Sequence, residues 1–438
     1  MCALVAQWID QNTQARSRSV SRAQRLAIDR GQWPKHSVSA SVSGSDLRQG
    51  CNFTTLTENP LPVTLRLALN FVGTASMHND LHHLSPEALE QAIAMLDEEW
   101  IHDDLAIAPV IPVVLGRGVG QDWHKAGTFR HHLIGVTRTL TLWQQPDDVR
   151  LLGLLHSVYG NAHVDLMKFD PKSERGRLAE LVGDEVERLI YRFCTISRVA
   201  FVRCLLTDQI ADDGSVTLDN AGTPEVLPAR DVAIFAVMTM ADICEQWYSW
   251  QDDIYSGYPD YEFLSGKVHW AAGLWPGPMR PTTYRVSQMA KLGQVLQHPA
   301  LKGILPVPPV FNQCTGTLSR EDEAAASALY WSVAQQNQPL VSPEATKASL
   351  RHAIALNPWV AEPYMLLAQL HLTFDEFDEA QAAAASGVQL ASIWGNTWDK
   401  RIGWDAWMAW GRILLQCAQK RDWPKDINKI NNLALDLG

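Results

Sequence analysis

An all-α fold is expected from three features of the sequence. Apolar residues recur at helical spacing in segment after segment. No stretch alternates with period two for long enough to suggest a substantial sheet, and the C-terminal part matches itself at a fixed offset. The chain has 438 residues, of which 46% are hydrophobic and 19% charged, the balance of a globular protein with a real core. That length suits two or three domains. Seventeen tryptophans against 11 phenylalanines and 9 tyrosines fit helices packed on helices through large rings.

Taken in order, residues 1–55 differ from the rest. Seven basic residues (Arg16, Arg18, Arg22, Arg25, Arg30, Lys35, Arg48) stand against three acids in residues 1–53, in a Ser- and Gln-rich context. The expectation is a disordered or leader segment, with an organelle transit peptide as its alternative. A helical domain is expected over 56–303. Ser85-Pro86-Glu87 opens a helix, with Ser85 as N-cap, Pro86 in the first turn and acids at the positive dipole end. Leu89, Ile93, Leu96 and Trp100 then form one face. Ala106–Gly120 is punctuated by Pro and Gly and reads as a loop. Helices resume at Thr128, break at Gln145-Pro146 and restart at Asp147. Further long helices are expected over Leu178–Phe193 and Asp231–Trp250, separated by the polar segment Asp212–Pro224. Residues 304–320 are expected as a linker, and 321–438 as a last helical domain.

At an offset of 34 residues Tyr330 falls on Tyr364, Val333 on Leu367, Ala334 on Ala368, Leu350 on Ala384 and Ala353 on Gly387. Small residues at such places let paired helices approach closely. Over 327–394 this resembles tetratricopeptide repeats, with Pro358 at the hinge between units and Ser392 where the pattern expects a Pro. Trp404–Leu437, with Trp404, Trp407 and Trp410, suits a hairpin that caps the stack. The resemblance implies a groove for a protein partner, or a stabilising appendage. Trp394, Trp398 and Trp404 are read as core rings before binding anchors.

Chemistry is suggested by three separated stretches. Phe129-Arg130-His131-His132 places a histidine on an apolar stripe, Leu154-Leu155-His156-Ser157 follows 24 residues later, and Met240-Ala241-Asp242 comes much later. Over about residues 125–250 this resembles the HD superfamily, and Leu178–Ile190 together with Met240–Trp247 is nearest to the (p)ppGpp hydrolase type. The resemblance implies a divalent metal held by His132, His156 and Asp242 inside a helical bundle. Ser157 stands where the superfamily carries its metal-bridging Asp, and a neutral hydroxyl is a weak ligand for hard ions. Substitutes nearby are His131, Asn161, His163 and Asp165, and a His-rich set suits iron, manganese or zinc. His131 and His163 are candidate proton carriers. Arg130, Lys168, Arg175 and Arg177 are candidates to hold an anionic substrate.

Other classes recede. A net charge of −11 argues against a general nucleic-acid or anionic-membrane binder, and no apolar run is long enough for a membrane span. Seven scattered cysteines without a Cys-x-x-Cys pair argue against a disulfide framework or thiolate zinc site, so a reducing, cytoplasmic setting is expected. Gly116–Gly120 lacks the Gly-Lys-Ser/Thr ending of a phosphate loop, and Asp252-Asp253 reads as a polar helix end. Two functions follow as expectations: a metal-dependent hydrolase or oxygenase acting on a small anionic molecule, or a non-enzymatic adaptor that keeps the helical fold for its shape.

Overall fold

The computed structural model describes residues 86–124, 127–160, 166–220, 222–246, 285–334 and 340–436. The described residues all belong to one unit, Leu81–Gly438. The expectations for residues 1–55 and for Ser85, Asn161, His163, Asp165, Asp252 and Asp253 lie outside them. The fold is all-α: among the described residues 62% are helix, with two small two-stranded antiparallel sheets.

Helix α1 (Pro86–Ala94) is followed by turns and two short helical stretches, Trp100–Asp103 and Ile111–Gly116, the second inside the segment expected as a loop. Its apolar stripe runs on past the helix, because Met95 and Trp100 are still buried. Strands β1 (Trp123–His124) and β2 (Gly127–Thr128) pair His124 with Gly127 and lead directly into α2 (Phe129–Leu142). Thr128 starts that helix: its hydroxyl accepts from the backbone N–H of His131, while the His131 ring faces the Thr128 N–H, a reciprocal cap. Helix α2 is buried on most sides, and the hydroxyls of Thr137, Thr139 and Thr141 return to carbonyls one turn back.

Pro146 ends the connection and α3 (Asp147–Leu155) begins with two acids at its positive end. Helix α3 crosses α2 at Gly153, where a Cβ would meet Leu140 Cδ1 at 2.4 Å. One helix was expected over Leu178–Phe193; two are present, α4 (Arg175–Val182) and α5 (Asp184–Thr195). Gly183 separates them with φ +89°, a conformation only glycine adopts cheaply. After α6 (Arg198–Leu206), the polar segment forms a hairpin, β3 (Val216–Asn220) with β4 (Thr223–Leu227). The strands are short and mostly polar, which hid their period from the sequence.

Helix α7 (Ala229–Gln246) is the central element, with Val232 to Ala241 at 6% exposure or less. Asp231 at its first turn is buried and held by Arg188 at 2.8 Å and Arg192 at 2.5 Å. Helix α8 (Arg285–Val295) packs on α7. The stretch expected as a linker carries buried Val310, Phe311, Cys314 and Leu318, and Pro306 accepts a bond from Gln145 Nε2 at 2.9 Å.

Six helices complete the described chain: α9 (Arg320–Ala334), α10 (Pro343–Leu356), α11 (Glu362–Thr373), α12 (Phe377–Trp394), α13 (Trp404–Lys420) and the short α14 (Ile427–Ile430). Neighbours pack in sequence order. The small residues Ala368, Ala380 and Ala384 are fully buried, and a Cβ on Gly387 would meet Met365 Cγ at 2.8 Å, so close approach needs them. Trp394, Trp398 and Trp404 are core rings. Helix α12 also packs on α1 and α2. There Trp143 Nε1 donates to the Ile393 carbonyl at 2.9 Å, and Arg138 Nε to that of Gly395 at 3.0 Å. One hydrophobic cluster therefore runs from Ala92 to Trp423.

No described helix is long and apolar enough to cross a membrane. The described cysteines Cys194, Cys204, Cys244, Cys314 and Cys417 are free thiols.

Candidate metal centre

Three helices bring the site together. Helix α2 supplies His132 in its first turn, α3 ends on His156, and the last turns of α7 supply Asp242, Glu245 and Gln246 on one face, since positions i, i+3 and i+4 of a helix are neighbours. His132, His156 and Asp242 are 3%, 1% and 6% exposed. One ligand atom from each lies within 4.8 Å of the others, a buried cluster that could hold a metal ion.

The far side of each imidazole decides what its near side offers. His156 Nδ1 lies 2.8 Å from the Gly153 carbonyl. A carbonyl only accepts, so Nδ1 carries the proton and Nε2 a free lone pair. His132 Nδ1 lies 2.5 Å from Glu245 Oε2, which likewise assigns its proton to Nδ1. The two Nε2 atoms are 3.1 Å apart, and Asp242 Oδ1 lies 3.4 Å from that of His132 and 3.6 Å from that of His156. Two lone pairs and a carboxylate oxygen facing one another want a cation between them. A metal about 2.0–2.1 Å from each nitrogen spaces its ligands by roughly 3.0–3.4 Å, so the donor set fits a divalent ion. Imidazoles braced by a carboxylate and a carbonyl are also the usual outer layer of metal sites.

Burial, with the nearby His132 and Arg198, pulls the His156 imidazole down to about 3 against the opposing pull of Asp242. It stays neutral at ordinary pH, the form that binds metal. Around the cluster stand groups that sequence reasoning missed. Arg198, at the first position of α6, donates from Nη2 to Asp242 Oδ2 at 2.5 Å and so holds the oxygen turned away from the histidines. Gln246 Nε2 lies 3.0 Å from Asp242 Oδ1 and 2.9 Å from His132 Nε2. The His124 ring, buried at the end of β1, has its centroid 4.7 Å from that of His132. Glu245 and Gln246 were accessible from the spacing after Asp242; nothing in the sequence marks His124 or Arg198.

Other expected site residues lie elsewhere. His131 is exposed and its ring serves the α2 cap; His163 lies outside the described residues. Ser157 is buried beside His156. The four expected anion-binding cations are taken up by carboxylates: Arg130 by Glu98 at 2.9 Å, Lys168 by Asp122, Arg175 by Glu187 at 2.7 Å and Arg177 by Glu174 at 3.7 Å.

A protein family described as "Domain of unknown function (DUF6817)" matches residues 113–198. The match takes in His124, His132, His156 and Arg198 and ends before Asp242. No curated protein and no solved structure matches the chain.

Proposed function

We propose that the protein is a metal-dependent enzyme of HD-like architecture acting on a small anionic molecule, with His132, His156 and Asp242 as ligands to iron, manganese or zinc. The observation that carries this reading is the bracing of both Nδ1 atoms, by Glu245 and by the Gly153 carbonyl, which turns both Nε2 lone pairs toward Asp242. A divalent ion held there would supply Lewis-acid polarisation of a substrate oxygen or a lowered pKa for water. The chain's own part is to fix the ligands: Glu245 orients His132, Arg198 presents Asp242 through one oxygen, and the buried walls formed by Phe129 and Phe193 limit water. Both hydrolase and oxygenase chemistry are compatible with such a ligand set. Helices α9 to α13 serve, in this reading, as a tetratricopeptide-like scaffold that buttresses α2 and offers a surface to a protein partner.

The test is metal content. Protein loaded anaerobically with iron, manganese or zinc and then desalted should retain about one ion per chain, and a His132→Ala/His156→Ala double variant should retain none. Wild-type protein that holds no metal would overturn the reading. One observation favours the adaptor instead: the Gln246 amide nitrogen already sits within hydrogen-bond distance of His132 Nε2 and Asp242 Oδ1, so the cluster has a polar partner of its own. If the adaptor reading holds, Gln246→Ala destabilises the protein without opening a metal site.

A further inference from the structure

The guanidinium of Arg198 is only half used. Its Nη2 donates to Asp242 Oδ2 at 2.5 Å and its carbon lies 4.9 Å from the centroid of the Phe193 ring. Its Nη1 is buried and has no hydrogen-bond partner among the described residues. Buried donors are rarely left this way, because a charged N–H without an acceptor loses its hydration for nothing. The four cations expected to meet an anionic substrate are all engaged by carboxylates. Arg198 is thus the cation at the cluster with a donor to spare, and the carboxylate it already holds is the one that faces the two histidines.

We infer that Arg198 is a substrate-binding residue: Nη1 holds an oxyanion, carboxylate or phosphate, beside the ion bound by His132, His156 and Asp242. This rests on the metal reading above. The planar fork of a guanidinium suits such a group, and one arm on Asp242 fixes the direction of the other. The metal is needed as well. Without it the charge of Arg198 is already matched by Asp242, whereas a divalent ion adds the positive charge that draws an oxyanion. Affinity for an oxyanion should therefore require both the ion and the arginine.

The experiment uses the full chain with manganese, after its metal stoichiometry has been measured. Inorganic phosphate and acetate are titrated separately by calorimetry, and phosphorus-31 line broadening reports whether phosphate sits beside the paramagnetic ion. Wild-type protein should bind one of the two and, for phosphate, broaden its line; the tighter probe identifies the oxyanion. Arg198→Gln should retain metal, though more weakly, and lose roughly tenfold or more in oxyanion affinity at saturating manganese. Arg198→Lys keeps the charge without the fork and should fall between; it decides the matter if the glutamine variant does not fold. Equal oxyanion affinity in wild type and both folded variants, or none in metal-loaded wild type, overturns the inference alone. Failure to take up metal is seen before any anion is added; it overturns the metal reading and this inference with it.

Discussion

Glu245 Oε2 lies 2.5 Å from Nδ1 of His132, one helix away, and so fixes both the tautomer and the plane of the imidazole whose other nitrogen faces His156. Both side chains are largely out of water, that of Glu245 16% exposed and that of His132 3% exposed. Under the proposed metal reading their pairing prepares His132 as a ligand. Removing such a carboxylate typically weakens a metal by about 10- to 100-fold. Glu245→Ala should show that loss against a competing chelator, with helical circular dichroism unchanged. Glu245→Gln, which keeps an acceptor oxygen, should lose less. Unaltered metal affinity in the alanine variant would mean that the pair is only structural.

A second prediction concerns pH and a buried carboxyl on α11. Glu362 on α11 accepts from the backbone N–H groups of Trp398 at 2.6 Å and Asp399 at 3.1 Å, while its Oε2 is buried without a partner. Burial, followed by the Asp399 carboxylate, pushes its carboxyl up to about 7 from the ordinary 4.5. Between those values the folded chain holds a proton that the unfolded chain has released, so stability falls as pH rises through that window. Glu362→Gln mimics the protonated form and removes the slope. Urea unfolding at pH 5 and pH 7.5 should show the variant gaining on wild type by about 2–3 kcal/mol at the higher pH. A constant difference would show that Glu362 is ionised throughout.

The crossing of α2 and α3 sets the distance between the two imidazoles. A methyl group on Gly153 would meet Leu140 Cδ1 at 2.4 Å, so the fully buried Leu140 side chain would have to shift. Gly153→Ala should cost about 1–3 kcal/mol through overpacking and weaken metal binding as well, because the Gly153 carbonyl braces His156. A stability loss with intact metal affinity would show that the helices separate without disturbing the site.

The C-terminal helices should not be removable. Trp143 and Arg138 of the α2 region bond to carbonyls at the end of α12, and Lys400 donates to the Cys244 carbonyl at 3.2 Å, next to Glu245. Ending the chain at residue 320 strands the Trp143 and Arg138 donors, takes Lys400 away from the Cys244 carbonyl and uncovers the apolar face of α2. Such a protein should lose its cooperative melting transition and bind an exposed-surface dye. A truncated chain that melts cooperatively would establish the last helices as an independent attachment.

The sequence by itself determined the helical class and the start of α2 at Thr128. It also determined the break at Pro146, while a resemblance to the HD superfamily is what joined His132, His156 and Asp242. These are matters of spacing and capping, local in the chain or carried by a recurring pattern. It expected one helix where Gly183 makes two, because apolar periodicity continues across a single residue whose φ alone is unusual. It offered Arg130, Lys168, Arg175 and Arg177 as anion partners because charge is visible in a sequence, whereas the carboxylate that neutralises it is not. Only the tertiary structure decided that Arg198, Glu245, Gln246 and His124 surround the cluster, since these contacts join elements that are remote along the chain. The physical reason is that a helix fixes which residues share its face, but only packing against other helices fixes what that face meets.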